Sequence, residues 1–108
     1  MISMIRKATV RDVKNIQKLI NFYAKKERML PRSLNELYEN IRDFWVYTEG
    51  KNIIGACALH IDWEDLAEIK SLAVLARKSG HGIGRRLLEK CLKDAGTLKV
   101  KKVFALTY

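Results

Sequence analysis

The sequence predicts an α/β domain, a mixed β-sheet flanked by helices in the order β-α-α-β-β-β-α-β. Three observations predict it. Apolar residues recur at helical spacing in the N-terminal third and again between 87 and 95, whereas in the middle and at the end they alternate or run together as in strands. The stretch "KSGHGIGRRL", Lys78 to Leu87, sets three of the six glycines between a strand-like run and a helix start. Finally, the 108 residues contain one proline, Pro31, and no repeat, low-complexity tract or Pro/Gly/Ser linker, so 1–108 reads as a single domain around one core.

Taken in order, Ile2 to Lys7 forms a short first strand. Thr9 with Asp12 three residues on is a capping-box-like start, and Val13, Ile16, Ile20 and Tyr23 then line one face of an amphipathic helix from Val10 to about Ala24. Ser33 with Glu36 signals a second, shorter helix marked by Leu34, Leu37 and Ile41. The loop "ERMLPRS" lies between the two. "FWVYTEGKNIIGACALHI" holds two β-rich runs about a Glu-Gly turn, a hairpin signature. After the polar turn "DWED", simple alternation through "LAEIKSLAV" sends Glu68, Lys70, Leu72 and Val74 one way and Ile69, Ser71 and Ala73 the other. A helix from about Gly84 carries Leu87, Leu88, Cys91, Leu92 and Ala95 on its apolar face and is stopped by Gly96, and "VKKVFALT" supplies the last strand.

Composition bounds the class. Hydrophobic residues make up 48% and charged ones 31%, the balance of a folded globular chain. No window approaches the roughly 18 apolar residues of a membrane span, and "MISMIRKATV" lacks the pattern of a signal peptide, so a cytoplasmic location with no membrane partner is expected. Cys57 and Cys91 stand apart, with no Cys/His cluster to suggest a metal, and read as buried thiols. The net charge is +9, but residues 33–70 hold three Lys/Arg against eight acids, while each flanking third holds nine against two. Such polarity suits an anionic ligand, whether nucleotide, nucleic acid or carboxylate.

A strand running into a glycine-rich turn at a helix N-terminus offers unpaired N–H groups and the positive end of the helix dipole, a phosphate site. Arg85 and Arg86 in the first turn oppose that dipole unless an anion lies among them. The alternative is that Gly80, Gly82 and Gly84 only make a tight turn. The spacing is GxGxG, with Arg85 in the place of the third glycine of a dinucleotide fingerprint, and the Gly-Lys-Ser/Thr of a P-loop is absent.

"SGHGIG" after "EIKSLAV" resembles the acetyl-CoA loop of the GNAT superfamily of N-acetyltransferases, whose pattern is Gln/Arg-x-x-Gly-x-Gly/Ala. Gly82 and Gly84 match, and Ser79 stands where Gln or Arg is usual, with Arg77 or Lys78 as substitutes for the lost contact. The element order is similar too. "LPRSLNELYENIRDFWV" and "GACALHIDWEDLAEIKSLAV" resemble the acetyltransferase domain of N-acetylglutamate synthase, of the arginine-biosynthesis type, and its stand-alone relatives.

The resemblance implies acetyl-CoA as cosubstrate without a metal. Its pyrophosphate would lie on the loop Ser79, Gly80, His81, Gly82, Ile83, Gly84 and Arg85, and its pantetheine along Leu72, Ala73 and Val74, with a nearby amide as oxyanion donor. Glu68 would be the base, directly or through a water, against the alternative of a surface Glu paired across the strand with a lysine. Arg32 would bind a substrate carboxylate, with Leu30, Lys70 and Thr107 as further substrate residues, against the alternative of a solvated arginine. His60 and His81 have no visible partner in sequence and stay unassigned.

The implied substrate is an anionic amino acid such as glutamate. The family domain normally continues with another helix and strands, so the resemblance also implies a C-terminally incomplete domain with an open sheet edge that invites a homodimer. Three rivals stay open: a different amine acceptor such as a peptide N-terminus or polyamine, a non-catalytic acyl-CoA-binding module, and a nucleic-acid-binding domain. The last rests on charge alone, with no recognition module, so no nucleic-acid partner is expected.

Overall fold

A computed structural model describes residues 2–25 and 31–105. Five strands form one sheet in chain order: β1 (Ser3–Lys7), β2 (Phe44–Glu49), β3 (Asn52–Trp63), β4 (Leu66–Val74) and β5 (Val103–Ala105). The first four pair antiparallel, and β5 lies parallel to β4. The helices α1 (Val13–Ala24) and α2 (Leu34–Glu39) cover one face and α3 (Ile83–Thr97) the other. This is the mixed, helix-flanked sheet that the sequence predicts.

Each face has its own core because the two helical layers never meet through the sheet. Val13, Ile16, Ile20, Leu37, Phe44, Val46, Ala56 and Ala58 pack between the sheet and α1/α2. Ile54, Cys57, Leu59, Ala67, Ile69, Leu87, Cys91 and Ala95 pack between the sheet and α3. The two thiols lie 3.5 Å apart in this second core, where the hydrogen bond from Cys91 and burial push the Cys57 thiol up. A neutral, buried thiol is a poor nucleophile, which matches their reading as core residues.

Local signals mostly set the boundaries. Ser33 Oγ accepts from the Glu36 N–H at 3.1 Å and Glu36 reaches back to the Ser33 N–H at 3.4 Å, the expected box at the start of α2. At the first helix, Asp12 Oδ2 accepts from the Thr9 N–H at 2.7 Å, but Val10–Asp12 winds as a 3-10 turn before α1 proper. Gly96 does not stop α3. The helix runs to Thr97, and Lys99 takes the left-handed conformation (φ 66°), with Val100 N–H bonding Ala95 O and Lys99 N–H bonding Gly96 O. Leu92 is exposed rather than on the apolar face, and β3 continues through Trp63, which shortens the expected four-residue turn to Glu64 and Asp65.

Asp12 also anchors β1. Its carboxylate takes two hydrogen bonds from Arg6, at 2.7 and 2.9 Å, and these, more than the Thr9 N–H and against burial, hold its titration below the usual carboxylate range. A lowered carboxylate contributes stability that is present above its unfolded pKa of about 4 and lost as pH falls through the folded value. Asp12→Asn is therefore expected to cost about 1–3 kcal/mol at neutral pH. Chemical denaturation at several pH values should show the gap to wild type closing below about pH 4.

Candidate functional site

β4 leaves the sheet through Leu75 and a 3-10 turn, Ala76–Lys78, and reaches α3 through Ser79–Gly82. Gly80 (φ 84°) and Gly82 (φ 77°) are left-handed, and a Cβ at either would meet nothing within 4 Å. The glycines are thus required by backbone shape, and the space over them is open. Gly82 is the N-cap of α3 and supplies no side-chain cap, and the helical ladder begins with Arg86 N–H to Gly82 O at 3.1 Å. The N–H groups of Ile83, Gly84 and Arg85 at the positive helix end are left to whatever binds there. Gly84 is different, since a Cβ would make ordinary contacts with Val74 and Leu72 at 3.8 and 4.0 Å.

The charges around this loop separate. Arg85 is 80% exposed and 3.6 Å from Glu89, one turn along α3, whereas Arg86, also exposed, lies over the Tyr47 ring at 5.5 Å. His81 is exposed. Ser79 Oγ donates to Ala76 O at 2.9 Å and so stabilises the turn itself. Of the two basic residues before it, Lys78 is tied to Glu49 at 3.1 Å, and Arg77 lines an open groove of about 430 Å³ with Lys18 and Lys51.

One feature of β4 overturns the simple alternation. Ala56 pairs with Ala73 and Ala58 with Lys70, so three steps along β4 oppose two along β3, and Ser71 absorbs the extra residue with φ 57°. Residues before and after this bulge exchange faces. Ala67 and Ile69 pack toward α3, and so Glu68 and Lys70 face α1/α2. Beyond Ser71, Ala73 joins the α1/α2 core, while Leu72 and Val74 lie beside Gly84 and Val74 packs on the α3 core. Glu68 and Lys70 therefore do not share a face with Leu72 and Val74. Among the described residues β5 pairs only with Ala67–Ile69, and past Ile69 that edge of β4 has no strand partner.

On the α1/α2 face the polar groups gather in one strip. Arg32 is anchored by its backbone, which accepts from Gln17 Nε2 at 3.2 Å and donates to Asn21 Oδ1 at 3.4 Å. Its side chain is only 10% exposed, donates from Nη1 to Ser71 Oγ at 3.2 Å, lies over the Phe44 ring at 5.4 Å and is 3.8 Å from Glu36. This is not a solvated arginine. Glu68, 13% exposed, is 3.7 Å from Lys70 along the same strand, so its lysine partner is not across the sheet. Across the sheet stands His60, whose Nδ1 is 2.8 Å from Asp43 Oδ2. Sequence reasoning missed Asp43. The signal was the hairpin: folding β2 on β3 sets Phe44 beside Ala58, and thus Asp43 near His60. Leu30 and Thr107 lie outside the described residues.

The sequence profile of the Acetyltransferase (GNAT) family matches residues 10–108. The chain belongs to this family. An amino-acid acetyltransferase of Mycobacterium tuberculosis is 38% identical over 109 residues, covering 97% of this chain and 62% of the relative. An uncharacterized N-acetyltransferase of Chlorobaculum tepidum is 40% identical, covering 95% of this chain and 66% of the relative. In structure, a Mycobacterium tuberculosis protein in complex with CoA and NLQ superposes with TM-score 0.90 at 37% identity, over 97% of this chain and 64% of its own. The N-acetylglutamate synthase of Neisseria gonorrhoeae, complexed with coenzyme A and N-acetyl-glutamate, gives TM-score 0.92 at 30% identity, over 99% of this chain and 26% of its own. This GNAT chain thus spans less than two thirds of the first two structures and relatives of known function that it matches. Among its described residues no group of three or more His, Cys, Asp or Glu could hold a metal, and no helix is long and apolar enough to cross a membrane.

Proposed function

We propose that the chain carries the coenzyme and acceptor sites of an acetyl-CoA-dependent N-acetyltransferase acting on the α-amine of glutamate or a similar acidic amino acid. The observation that carries this reading is the strip on the α1/α2 face, where a shielded carboxylate, Glu68, has one cation, Lys70, beside it and a second, Arg32, on Ser71 next along β4. An acidic amino acid presents carboxylates and an ammonium, the complement of that strip. The amino-acid acetyltransferase relatives and the synthase complex support the same reading.

The residues present fit acetyl-CoA. The uncapped N–H groups of Ile83, Gly84 and Arg85 at the start of α3, with the glycine loop before them, suit its pyrophosphate, in place of the Gln or Arg side chain that Ser79 does not supply. Among the described residues β4 has no strand partner on this edge past Ile69, and that edge offers backbone groups to the pantetheine amides in the manner of an added strand. When bound, acetyl-CoA supplies an activated thioester carbonyl. Glu68 takes the proton from the substrate ammonium, directly or through a water, so that the amine can attack. A β4 amide between Leu72 and Val74 holds the negative charge that develops on the carbonyl oxygen. Arg32 and Lys70 grip the substrate carboxylates, and the resemblance adds Leu30 and Thr107 to the pocket wall.

CoA release by the purified chain, with glutamate against a panel of other amino acids, a peptide N-terminus and a polyamine, tests this. Release that requires an acidic amino acid is expected. No release with any amine while acetyl-CoA still binds would refute the catalytic reading and leave a coenzyme-binding unit. The loop has its own prediction. A β-branched side chain at a left-handed position costs about 1–2 kcal/mol or more in the bound loop shape. Gly82→Val should weaken acetyl-CoA binding at least tenfold by calorimetry, with little change in the affinity for the acceptor.

A further inference from the structure

We infer that His60, held by Asp43, is the proton acceptor behind Glu68. The inference rests on Glu68 acting as the base and adds what becomes of the proton. His60 and Glu68 are directly opposed in the β3/β4 register. Side chains of such a pair leave the same sheet face with Cβ atoms about 4.5–5.5 Å apart, within reach of each other or of one bridging water. On its other side the imidazole is fixed, Nδ1 lying 2.8 Å from Asp43 Oδ2. A carboxylate can only accept, so Nδ1 carries the hydrogen and Nε2 is the ring's remaining acceptor.

The surroundings give the pair its direction. Among the described residues, the charged groups placed on this face are Asp43 from the turn before β2, Glu68 and Lys70 from β4, and Arg32 on Ser71 with Glu36 of α2 beside it. Glu68 is 13% exposed and must discharge a proton in every cycle, whereas the His60 side chain is 32% exposed and meets water. In the relay the ammonium N–H bond breaks as a Glu68 O–H forms. That O–H then breaks as an N–H forms at Nε2. The imidazolium, its charge balanced by Asp43, gives the proton to solvent, so the net change is one proton from ammonium to water. A purely structural role, in which Asp43 and His60 only tie the turn before β2 to β3, would leave this traffic untouched.

His60→Gln should lower kcat about 10²-fold, the low end of what a direct base supplies. The variant should also change the shape of the acidic limb of the pH profile, which Glu68 alone would then set, with KM for both substrates within about twofold. Asp43→Asn should lower kcat in the same direction by less. A second measurement needs no turnover. In ¹H–¹⁵N spectra of the full chain, the His60 ring should show the Nδ1–H tautomer, which Asp43→Asn should loosen, and its Nε2 signal should move in Glu68→Gln. A His60→Gln variant with the wild-type rate and profile beside an inactive Glu68→Gln would overturn this inference alone. So would a His60 Nε2 signal that ignores Glu68→Gln. A fully active Glu68→Gln would overturn the base assignment, and the relay with it.

Discussion

Glu68→Gln is expected to lower kcat by about 10²- to 10⁴-fold, the contribution of a positioned general base. The amide keeps the shape of the side chain and can still hydrogen-bond, but it cannot accept the ammonium proton. Its environment explains why this position rather than another acid of the middle third carries the prediction. Asp62 and Glu64 are exposed, whereas Glu68 is largely shielded, is 3.7 Å from Lys70 and pairs with Phe104 of β5 on one side and His60 of β3 on the other. Single-turnover CoA release with saturating acetyl-CoA reads the chemical step directly. Acetyl-CoA affinity should stay within about twofold, because the proposed coenzyme residues lie beyond the Ser71 bulge, where Leu72 and Val74 face the other way. The loss of a partly exposed ion pair with Lys70 costs at most about 1 kcal/mol, so the variant should fold normally. Unchanged turnover would return Glu68 to the alternative, a structural partner of Lys70.

Much of this architecture is legible in the sequence, and the parts that are not share a physical cause. The stripe Val13, Ile16, Ile20 and Tyr23 buries as helical periodicity requires, the Ser33/Glu36 box forms, and the hairpin folds where Gly50 allows a turn. These features depend on residues a few positions apart. The Ser71 bulge does not, because an extra residue in one strand is defined only against its partner. Nothing in "EIKSLAV" marks it, and the left-handed position is taken by a serine rather than a glycine. The end of α3 misleads in the same way, since Lys99 adopts the conformation that a glycine would usually signal. For the Asp43–His60 pair the hairpin register was available in principle. A shift in that register between Tyr47 and Thr48 spoils a simple count from the turn.

Arg32 shows how burial decides between two readings that composition leaves equal. Among nine Lys/Arg in the first 32 residues, composition and charge give it no distinction, and only the family resemblance singles it out. In the structure its backbone is bonded to α1, and its guanidinium rests on Phe44 and on Ser71 at the bulge. That is a costly place for a cation whose only acidic neighbour, among the described residues, is the more exposed Glu36 at 3.8 Å. An incoming carboxylate that displaces the weak contact with Glu36 would take both fork donors of the guanidinium.

Arg32→Ala is accordingly expected to raise KM for the acidic acceptor by about 30- to 1000-fold, or 2–4 kcal/mol, with kcat at saturating acceptor changed far less. Arg32→Lys should recover only part of the loss, because an ammonium cannot reproduce the bidentate geometry or lie flat on Phe44. The pattern across acceptors is the sharper observation. If Arg32 holds a side-chain carboxylate, the variant should lose its preference for acidic over neutral amino acids. If it holds the α-carboxylate, all amino acids should weaken together. An unchanged KM for every acceptor would mean that the guanidinium only braces the loop against the sheet, and would move the acceptor carboxylate to Lys70.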